Sequence, residues 1–313
     1  MTITEIRQQI HEEMAKGFVG PQSITDLLLV SLFSPGHVLL EGVPGVAKTT
    51  VARRFSDCLG CKFSRVQFTQ DLLPSDVTGT HIFNMQNRQF EIQKGPIFSQ
   101  IVLGDEINRA PPKAQSALLE AMQEQQVTID GRTFQLPDPF LVIATRNPIE
   151  QAGVYPLPEA QIDRFLICIK MDYPSHDDEV TMLSSWRRRP DPARPILDAE
   201  QIARIRTQVT DVHVSTSIAK YVVDLVQKTR SEPRVRLGIS PRGAVSLLQA
   251  SRANALLDGR DYVVPDDVKS MFMPVLRHRL ILTPESQFNG HKAYDVLDAC
   301  LDSVEFSGPA TMM

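Results

Sequence analysis

The chain has 313 residues, of which 42% are hydrophobic and 22% are charged, and its formal net charge is −4. These proportions are typical of a globular protein, and the length predicts one large domain with a smaller second one. The weakly acidic balance argues against a nucleic-acid-binding protein, whose surface is usually basic. The apolar run at residues 27–33 is far shorter than the roughly 20 residues that cross a bilayer, so we expect no membrane span and a cytoplasmic protein.

The four cysteines, Cys58, Cys61, Cys168 and Cys300, are too few to form a disulfide framework in a chain of this length. Cys58 and Cys61 have C-x-x-C spacing, but the sequence has no second such pair. Packing in the core or chance spacing is therefore the favoured interpretation, and we predict no zinc site.

A glycine-rich segment between a predicted strand and a predicted helix has the pattern of a phosphate-binding loop. Its glycines let backbone N–H groups converge on phosphate oxygens, and the helix N-terminus adds positive partial charge. Lys48 is predicted to contact the β- and γ-phosphates, and the Thr49 hydroxyl to bind Mg²⁺. An ordinary glycine-rich turn is the alternative, because Ala47 stands where the strict pattern has glycine. The predicted nucleotide-binding residues are Gly42, Val43, Pro44, Gly45, Val46, Ala47, Lys48, Thr49 and Thr50.

Two adjacent carboxylates, Asp105 and Glu106, end an apolar run at residues 101–104 that is typical of a buried parallel strand. Neighbouring side chains of a strand point to opposite sides, so we expect the two carboxylates to have different roles. Asp105 is predicted to hold Mg²⁺, and Glu106 to orient and polarise the attacking water. A solvated acidic turn is the alternative, but the order of loop and carboxylates is that of a P-loop ATPase.

Strand and helix patterns alternate over residues 36–172, which predicts an α/β fold with helices on both faces of a parallel sheet. Two hairpins interrupt this order, at residues 81–92 and at 127–134, the second with an Asp130-Gly131 turn. Helical patterns dominate after residue 195. We expect a P-loop αβα sandwich over residues 1–190 and a small all-α lid over 191–313.

The triplet Arg187-Arg188-Arg189 lies in a proline-rich segment between the two expected domains. A nucleic-acid patch is one interpretation. A solvated helix end is favoured, because basic residues there match the helix dipole.

These motifs together resemble the AAA+ superfamily and, within it, the MoxR group of ATPases. The most specific match is GDEINRAPPKAQSALLEAM at residues 104–122, and the phosphate loop also matches, since the family often has alanine at the position of Ala47. The hairpin at residues 82–92 resembles the helix-2 insert of the wider clade. The resemblance covers nearly the whole chain, and it implies an ATPase that uses ATP and Mg²⁺ and forms a ring, expected to be a hexamer.

The resemblance also assigns roles to three polar residues outside the loop. Asn147 resembles the sensor-1 residue, although an Asn that caps a turn before Pro148 is the alternative. Arg164 resembles the arginine finger that reaches a neighbouring subunit, and a surface charge beside Asp163 is the alternative. Arg242 follows Ser240-Pro241, which has the pattern of a helix start. A cation there opposes the helix dipole, so a bound phosphate would explain it, as the family's sensor-2 arginine does.

The resemblance is looser at three other places. Val19-Gly20 resembles the segment that lines the adenine pocket, and Arg109 is expected to contact a neighbouring subunit. Arg146 stands where family members commonly have glutamine.

MoxR ATPases remodel protein complexes and commonly work with partners that carry a von Willebrand factor A domain. The sequence therefore predicts an ATP-driven chaperone that acts on a protein client. A Rubisco-activating or chelatase-like motor is an alternative of the same class. A DNA-acting motor is a further alternative, which the acidic balance and the few cations of the first hairpin disfavour. The intact acidic pair argues against a switch that does not hydrolyse its nucleotide.

Overall fold

The computed structural model describes residues 1–148, 153–185 and 191–308, so the Arg187–Arg189 triplet lies outside the described residues. The helices within these ranges are α1 (Ile3–Ala15), α2 (Gln22–Phe33), α3 (Lys48–Cys58), α4 (Pro74–Thr78), α5 (Pro112–Glu124), α6 (Glu159–Ile162), α7 (His176–Ser185), α8 (Ala199–Asp211), α9 (Thr216–Ser231), α10 (Pro241–Leu257), α11 (Pro265–Leu276), α12 (Pro284–Phe288) and α13 (Ala293–Asp302). The strands are β1 (Val38–Gly42), β2 (Phe63–Gln67), β3 (Gly79–Asn84), β4 (Gln89–Lys94), β5 (Ile101–Asp105), β6 (Gln126–Ile129), β7 (Arg132–Gln135), β8 (Leu141–Arg146), β9 (Ile167–Met171), β10 (Val235–Leu237) and β11 (Ile281–Leu282).

Five strands form one parallel sheet in the order β2-β5-β8-β1-β9. Their carboxyl ends therefore meet at one edge of the sheet, where ligands bind in open α/β folds. β1 lies between β8 and β9, and β5 lies between β2 and β8. This order brings the loop after β1 and the carboxylates after β5 to the same edge as the end of β8.

Helices cover both faces of the sheet, which confirms the predicted αβα sandwich. Alternate residues of each strand belong to different cores, because side chains of a strand point to opposite faces. On β1, Val38 and Leu40 pack in the core that contains α1, α2 and α3, whereas Leu39 packs in the core that contains α5. Every residue of β5 is buried, as expected of a strand covered on both faces.

The second part of the chain forms the predicted helical lid. α10 packs against α11, α8 and α9, and it also contacts α2 of the first part. A short antiparallel ribbon of β10 and β11 joins these helices. This ribbon was not predicted, since strands of three and two residues are too short to show periodicity in the sequence. The expected boundary at residue 190 lies outside the described residues and stays a prediction.

Both predicted hairpins are confirmed. β6 and β7 are joined by Asp130 and Gly131, whose φ angles of +46° and +79° are those of a type I′ turn. β3 and β4 pair over their whole length and project from the sheet. Near the tip of the hairpin of β3 and β4, Met85 is 86% exposed and Phe90 is 73% exposed.

The cysteines are free thiols, and none of the four is fully exposed. Cys58 packs in the core at the end of α3, and burial raises its pKa to about 12. No helix of the described residues is both long and apolar enough to cross a membrane.

Candidate active site

The glycine-rich loop connects the end of β1 to the start of α3. Gly45 has a φ of +88° and Ala47 a φ of +61°, so both lie in the left-handed region that glycine adopts without strain. This geometry explains why the strict pattern has glycine at the position of Ala47. Alanine is tolerated there at a cost of about 1–2 kcal/mol. Gly42 is required for another reason, because a Cβ on it would lie 2.5 Å from the Met171 carbonyl oxygen.

Lys48 and Thr49 begin α3, and both are held by groups of the same chain. Lys48 Nζ donates to the carbonyl oxygens of Gly42 and Val43, the second at 3.1 Å. The Thr49 hydroxyl donates to Asp105 Oδ2 at 3.2 Å. The loop and the first carboxylate of the acidic pair are therefore in direct contact.

Asp105 ends β5 with its side chain only 9% exposed. Its Oδ1 accepts a hydrogen bond from the Thr145 hydroxyl at 2.6 Å. Its Oδ2 accepts from Arg65 Nη2 on β2 at 2.7 Å, in addition to the bond from Thr49. The Asp105 carboxylate is thus fixed by one hydroxyl from α3 and one from β8, and its charge is balanced by the guanidinium on β2.

Glu106 leaves the strand with a φ of +56°, an uncommon value for a residue with a side chain. Its N–H donates to the Thr145 hydroxyl at 2.8 Å, which fixes the turn. Its Oε2 accepts from Gln67 Nε2 and from Arg109 Nη1, both at 2.8 Å. β5 ends at Asp105, so the alternation of side chains expected for a strand does not extend to Glu106. The two carboxylates have different partners, but both contact β2: Asp105 bonds to Arg65 and Glu106 bonds to Gln67.

Asn147 directly follows β8, the strand that lies between β5 and β1. It is half-buried at the carboxyl edge of the sheet, beside the elements that carry the loop and the acidic pair. The preceding Arg146 pairs with Glu41 on β1. Arg277, at the end of α11 in the lid, donates to the other oxygen of Glu41 at 2.9 Å. Glu41 directly precedes the glycine-rich loop, so the lid contacts the base of that loop.

Arg164 and Arg242 differ from these residues, because neither guanidinium makes a hydrogen bond or an ion pair within the described ranges. Arg164 follows α6 and is half-buried. Its neighbour Asp163 pairs with Arg279 of the lid, with 2.9 Å between Oδ1 and Nε. Arg242 is exposed in the first turn of α10, where Ser240 caps the helix as predicted.

A cavity of about 960 Å³ adjoins the loop, between the segment after α1, the end of β9 and α7. Its volume is within the range of ligand pockets in proteins. Val19 and Gly20 line it together with Phe18, Ile24 and Met171, and the glycine-rich loop contributes Gly45 to Ala47. The cavity is large enough for a nucleotide base, and the role of Val19-Gly20 in an adenine pocket stays a prediction.

Comparison with known proteins agrees with this geometry. The family model described as "ATPase family associated with various cellular activities (AAA)" matches residues 37–167, and the AAA lid domain matches residues 227–299. The chain is 46% identical over 280 residues to Chaperone MoxR1 of Mycobacterium tuberculosis, covering 87% of this chain and 74% of that protein. It is 34% identical to Protein MoxR of Paracoccus denitrificans, covering 85% of this chain and 86% of that one. The chain belongs to the MoxR family of AAA+ ATPases.

Two further similarities extend over almost the full chain. The uncharacterized protein YeaC of Bacillus subtilis is 47% identical over 296 residues, covering 94% of this chain and 92% of that one. A crystal structure of a candidate ATPase from Cytophaga hutchinsonii superimposes with a TM-score of 0.91 at 38% identity, covering 98% of this chain and 96% of that chain. The predicted family and fold are therefore confirmed for this MoxR-family ATPase.

Several residues that surround the acidic pair in this MoxR-family site were not predicted from the sequence. Arg65 and Gln67 flank buried Val66 on β2, and polar residues at alternate positions of a strand share one face. Thr145 is a fully buried polar residue near the end of an apolar strand. Both patterns are visible in the sequence. The contacts with Asp105 and Glu106, however, depend on the strand order.

Proposed function

We propose that this protein hydrolyses ATP at the edge where β1, β5 and β8 end, and that it uses the energy to remodel a protein complex. The observation that carries the proposal is the direct contact of the two motifs, with 3.2 Å between the Thr49 hydroxyl and Asp105 Oδ2. A glycine-rich turn or an acidic turn alone would not require this contact. A P-loop ATPase does require it, because both groups serve the same metal ion.

The residues present fit Mg²⁺. The Thr49 hydroxyl and the Asp105 carboxylate are the oxygen ligands that Mg²⁺ prefers, and Arg65 beside Asp105 indicates that a cation is stable there. Mg²⁺ would neutralise charge on the β- and γ-phosphates. The backbone N–H groups of Gly42 to Thr50 would bind the phosphates, and Lys48 would exchange its carbonyl partners for phosphate oxygens.

Glu106 is the proposed base that orients the attacking water. Its hydrogen bonds to Gln67 and Arg109 both end on Oε2, so Oε1 would be the oxygen that accepts a hydrogen bond from the attacking water. Asn147 would hold the γ-phosphate or the water from the next strand. Arg242 would contact a phosphate from the lid.

Arg164 is the proposed arginine finger, which acts on ATP bound to the neighbouring subunit of a ring. Its guanidinium is half-buried and has no polar partner within the described part of the chain, so it is available to contact a neighbouring subunit. The ring is proposed to be a hexamer. Arg109 is proposed to serve Glu106 within its own subunit, since the two side chains form an ion pair at 2.8 Å.

The proposed client is a protein, reached with a partner that carries a von Willebrand factor A domain. The similarity to a protein named as a chaperone supports a remodelling role. The hairpin of β3 and β4 supports a protein client over DNA, because its exposed residues include Phe83, Met85 and Phe90. Exposed apolar side chains bind proteins, whereas a DNA-binding hairpin requires cations.

The first experiment changes Glu106 to Gln. ATP binding should persist, because the phosphate contacts remain, and turnover should fall by about 10²-fold or more, because water activation is lost. A matched control is Glu120→Gln, which changes an exposed carboxylate on α5. Hydrolysis by Glu106→Gln at the rate of the unchanged protein would contradict the proposed role of the acidic pair.

The second experiment measures the mass of the particle by light scattering, with and without ATP and Mg²⁺. ATP should drive ring assembly, because nucleotide that contacts two subunits stabilises the interface between them. A monomer at micromolar protein and saturating ATP would count against the ring. The Glu106→Gln form, held in its ATP state, is then the suitable bait for the partner, and recovery of a von Willebrand factor A domain protein is the expected result.

A further inference from the structure

Three successive residues after α11 carry the contact between the lid and the base of the site. Arg277 donates to Glu41, next to the glycine-rich loop. His278 Nε2 and Arg279 Nη2 both donate to the Phe165 carbonyl oxygen, at 2.9 and 2.8 Å. One short lid segment therefore contacts both Glu41, directly before the loop, and Phe165, the residue that follows Arg164.

Arg279 is the central residue of this contact. Its side chain is only 4% exposed, and its Nε lies 2.9 Å from Asp163 Oδ1. Its N–H groups are poorly aligned with that carboxylate, so Nε, Nη1 and Asp163 Oδ1 make no hydrogen bond within the described ranges. Arg279 thus touches the residues on both sides of Arg164, namely Asp163 and Phe165, without touching the Arg164 side chain.

The chain around Arg164 is held both by its own part of the chain and by the lid. α6 has four residues, and the Arg164 N–H reaches the Gln161 carbonyl oxygen at 3.3 Å, whereas the Phe165 N–H donates to the Ile162 carbonyl oxygen at 3.1 Å and the Leu166 N–H to the His37 carbonyl oxygen at 2.8 Å. The Phe165 side chain is fully buried, and its carbonyl oxygen is the acceptor that the lid contacts. Since both donors to that oxygen come from the lid, the orientation of Arg164 depends on the position of the lid.

A buried ion pair contributes little to stability compared with apolar residues of similar size. The Arg279–Asp163 pair is also incompletely hydrogen-bonded, which makes it a poor means of holding the fold together. What the pair does provide is a fixed contact between the lid and the residues on either side of Arg164.

Arg279 also lies near Arg242 of α10. Burial lowers the pKa of Arg279 to about 10, with Asp163 opposing the shift and the like charge of Arg242 adding to it. A phosphate that bound Arg242 would screen this repulsion. Arg242, which would contact ATP from the lid, is therefore electrostatically coupled to Arg279, which contacts the residues on both sides of Arg164 in the same subunit.

We propose that Arg279 is a positioning residue for the arginine finger, which holds Arg164 in the orientation that serves the neighbouring subunit. The inference rests on the proposed function, because it requires that Arg164 act between subunits. It adds a route by which the lid of one subunit, through Arg279, sets the activity of the next site in the ring.

Mixed rings test the proposal. Arg279→Gln alone should bind ATP normally and lose about 10²-fold in turnover, the loss expected when a catalytic group is displaced by about 1 Å. When Arg279→Gln is mixed with Lys48→Ala, activity should return. At some interfaces, the intact loop of an Arg279→Gln subunit then faces the intact finger of a Lys48→Ala subunit. Mixed with Arg164→Ala, Arg279→Gln should stay inactive, because both proteins lack a working finger. Native mass spectrometry should verify that mixed rings form.

The reverse pattern, recovery with Arg164→Ala and none with Lys48→Ala, would place the effect of Arg279 in its own site and overturn the inference. Arg277→Gln is the matched control, because it removes a neighbouring lid arginine that contacts Glu41 instead of the finger segment. If Arg277→Gln gave the same pattern as Arg279→Gln, general loosening of the lid would explain both, and the inference would fail.

Two further measurements separate the inference from a loss of folding and from a failure of the proposed function. Asp163→Asn, at a more exposed position, should reproduce the Arg279→Gln pattern, and its failure to do so with intact circular dichroism would overturn the inference. The mixture of Lys48→Ala with Arg164→Ala should recover activity. If it does not, and Arg164→Ala is fully active alone, the finger between subunits is wrong, and the inference falls with it.

Discussion

The two charged regions of the proposed site are built in opposite ways. Around the glycine-rich loop, the polar side chains have partners in the same chain: Lys48 on loop carbonyls, Thr49 on Asp105, and Glu106 on Gln67 and Arg109. On the side of Arg164 and Arg242, the guanidinium groups have no such partners among the described residues.

The two regions therefore differ in whether their polar side chains have hydrogen-bond partners before a ligand or another subunit binds. The loop region is satisfied internally, so ATP and Mg²⁺ must replace existing contacts when they bind. The arginine region is unsatisfied, so it gains contacts only when a ligand or another subunit arrives. Changes in the loop region should therefore act on binding and stability in the isolated subunit, and changes in the arginine region should act on turnover in the ring.

The largest expected effect in the loop region is that of Lys48→Ala. ATP binding should be lost, because Lys48 is the loop cation for the β- and γ-phosphates. Binding of a fluorescent ATP analogue measures this directly, with Lys62→Ala as a control at an exposed lysine. If Lys48→Ala bound ATP with normal affinity, the loop region would not be the ATP-binding part of the site, and the contrast between the two regions would fail.

Arg164→Ala should reduce turnover by about 10³-fold, the lower end of the range for an arginine finger, and leave ATP binding by the subunit unchanged. The measurement is steady-state hydrolysis alongside nucleotide affinity. Arg132→Ala removes an exposed arginine from β7 and serves as the control. A loss of affinity equal to the loss of turnover would show that Arg164 belongs to the loop region instead.

Arg65→Met should lower the Mg²⁺ concentration required for half-maximal activity by about fivefold. The Arg65–Asp105 ion pair competes with the metal, and a partly exposed pair contributes up to about 1 kcal/mol. Titration of activity with Mg²⁺ at saturating ATP measures the shift. A higher Mg²⁺ requirement in the variant would mean that Arg65 assists the metal.

Ala47→Gly should stabilise the protein by about 1 kcal/mol, because it removes the strain of a side chain in the left-handed region. Gly45→Ala should destabilise it by a similar amount, because Gly45 has a φ of +88° and only strain would oppose the new methyl group. Chemical denaturation of both variants measures the free energy of unfolding. Equal stability of Ala47→Gly and the unchanged protein would show that the loop relaxes around alanine.

The local patterns of the sequence determined the elements and much of the loop region. Apolar runs bounded by turn residues predicted the strands, and Asp130-Gly131 predicted the hairpin turn that the structure has. The glycine-rich loop and Asp105-Glu106 are short motifs whose main polar residues are neighbours in the sequence. Such features follow from the chain itself because their geometry is set within a few residues.

The tertiary structure alone decided which distant side chains meet. Glu41 pairs with Arg146 on the neighbouring strand and with Arg277, which is 236 residues further along the chain. Arg279 contacts the residues on both sides of Arg164, although nothing in the sequence near Asp163 indicates a partner in the lid. Sheet order and lid packing fix these pairs, and both depend on long-range burial of apolar surface, which no local pattern of residues specifies.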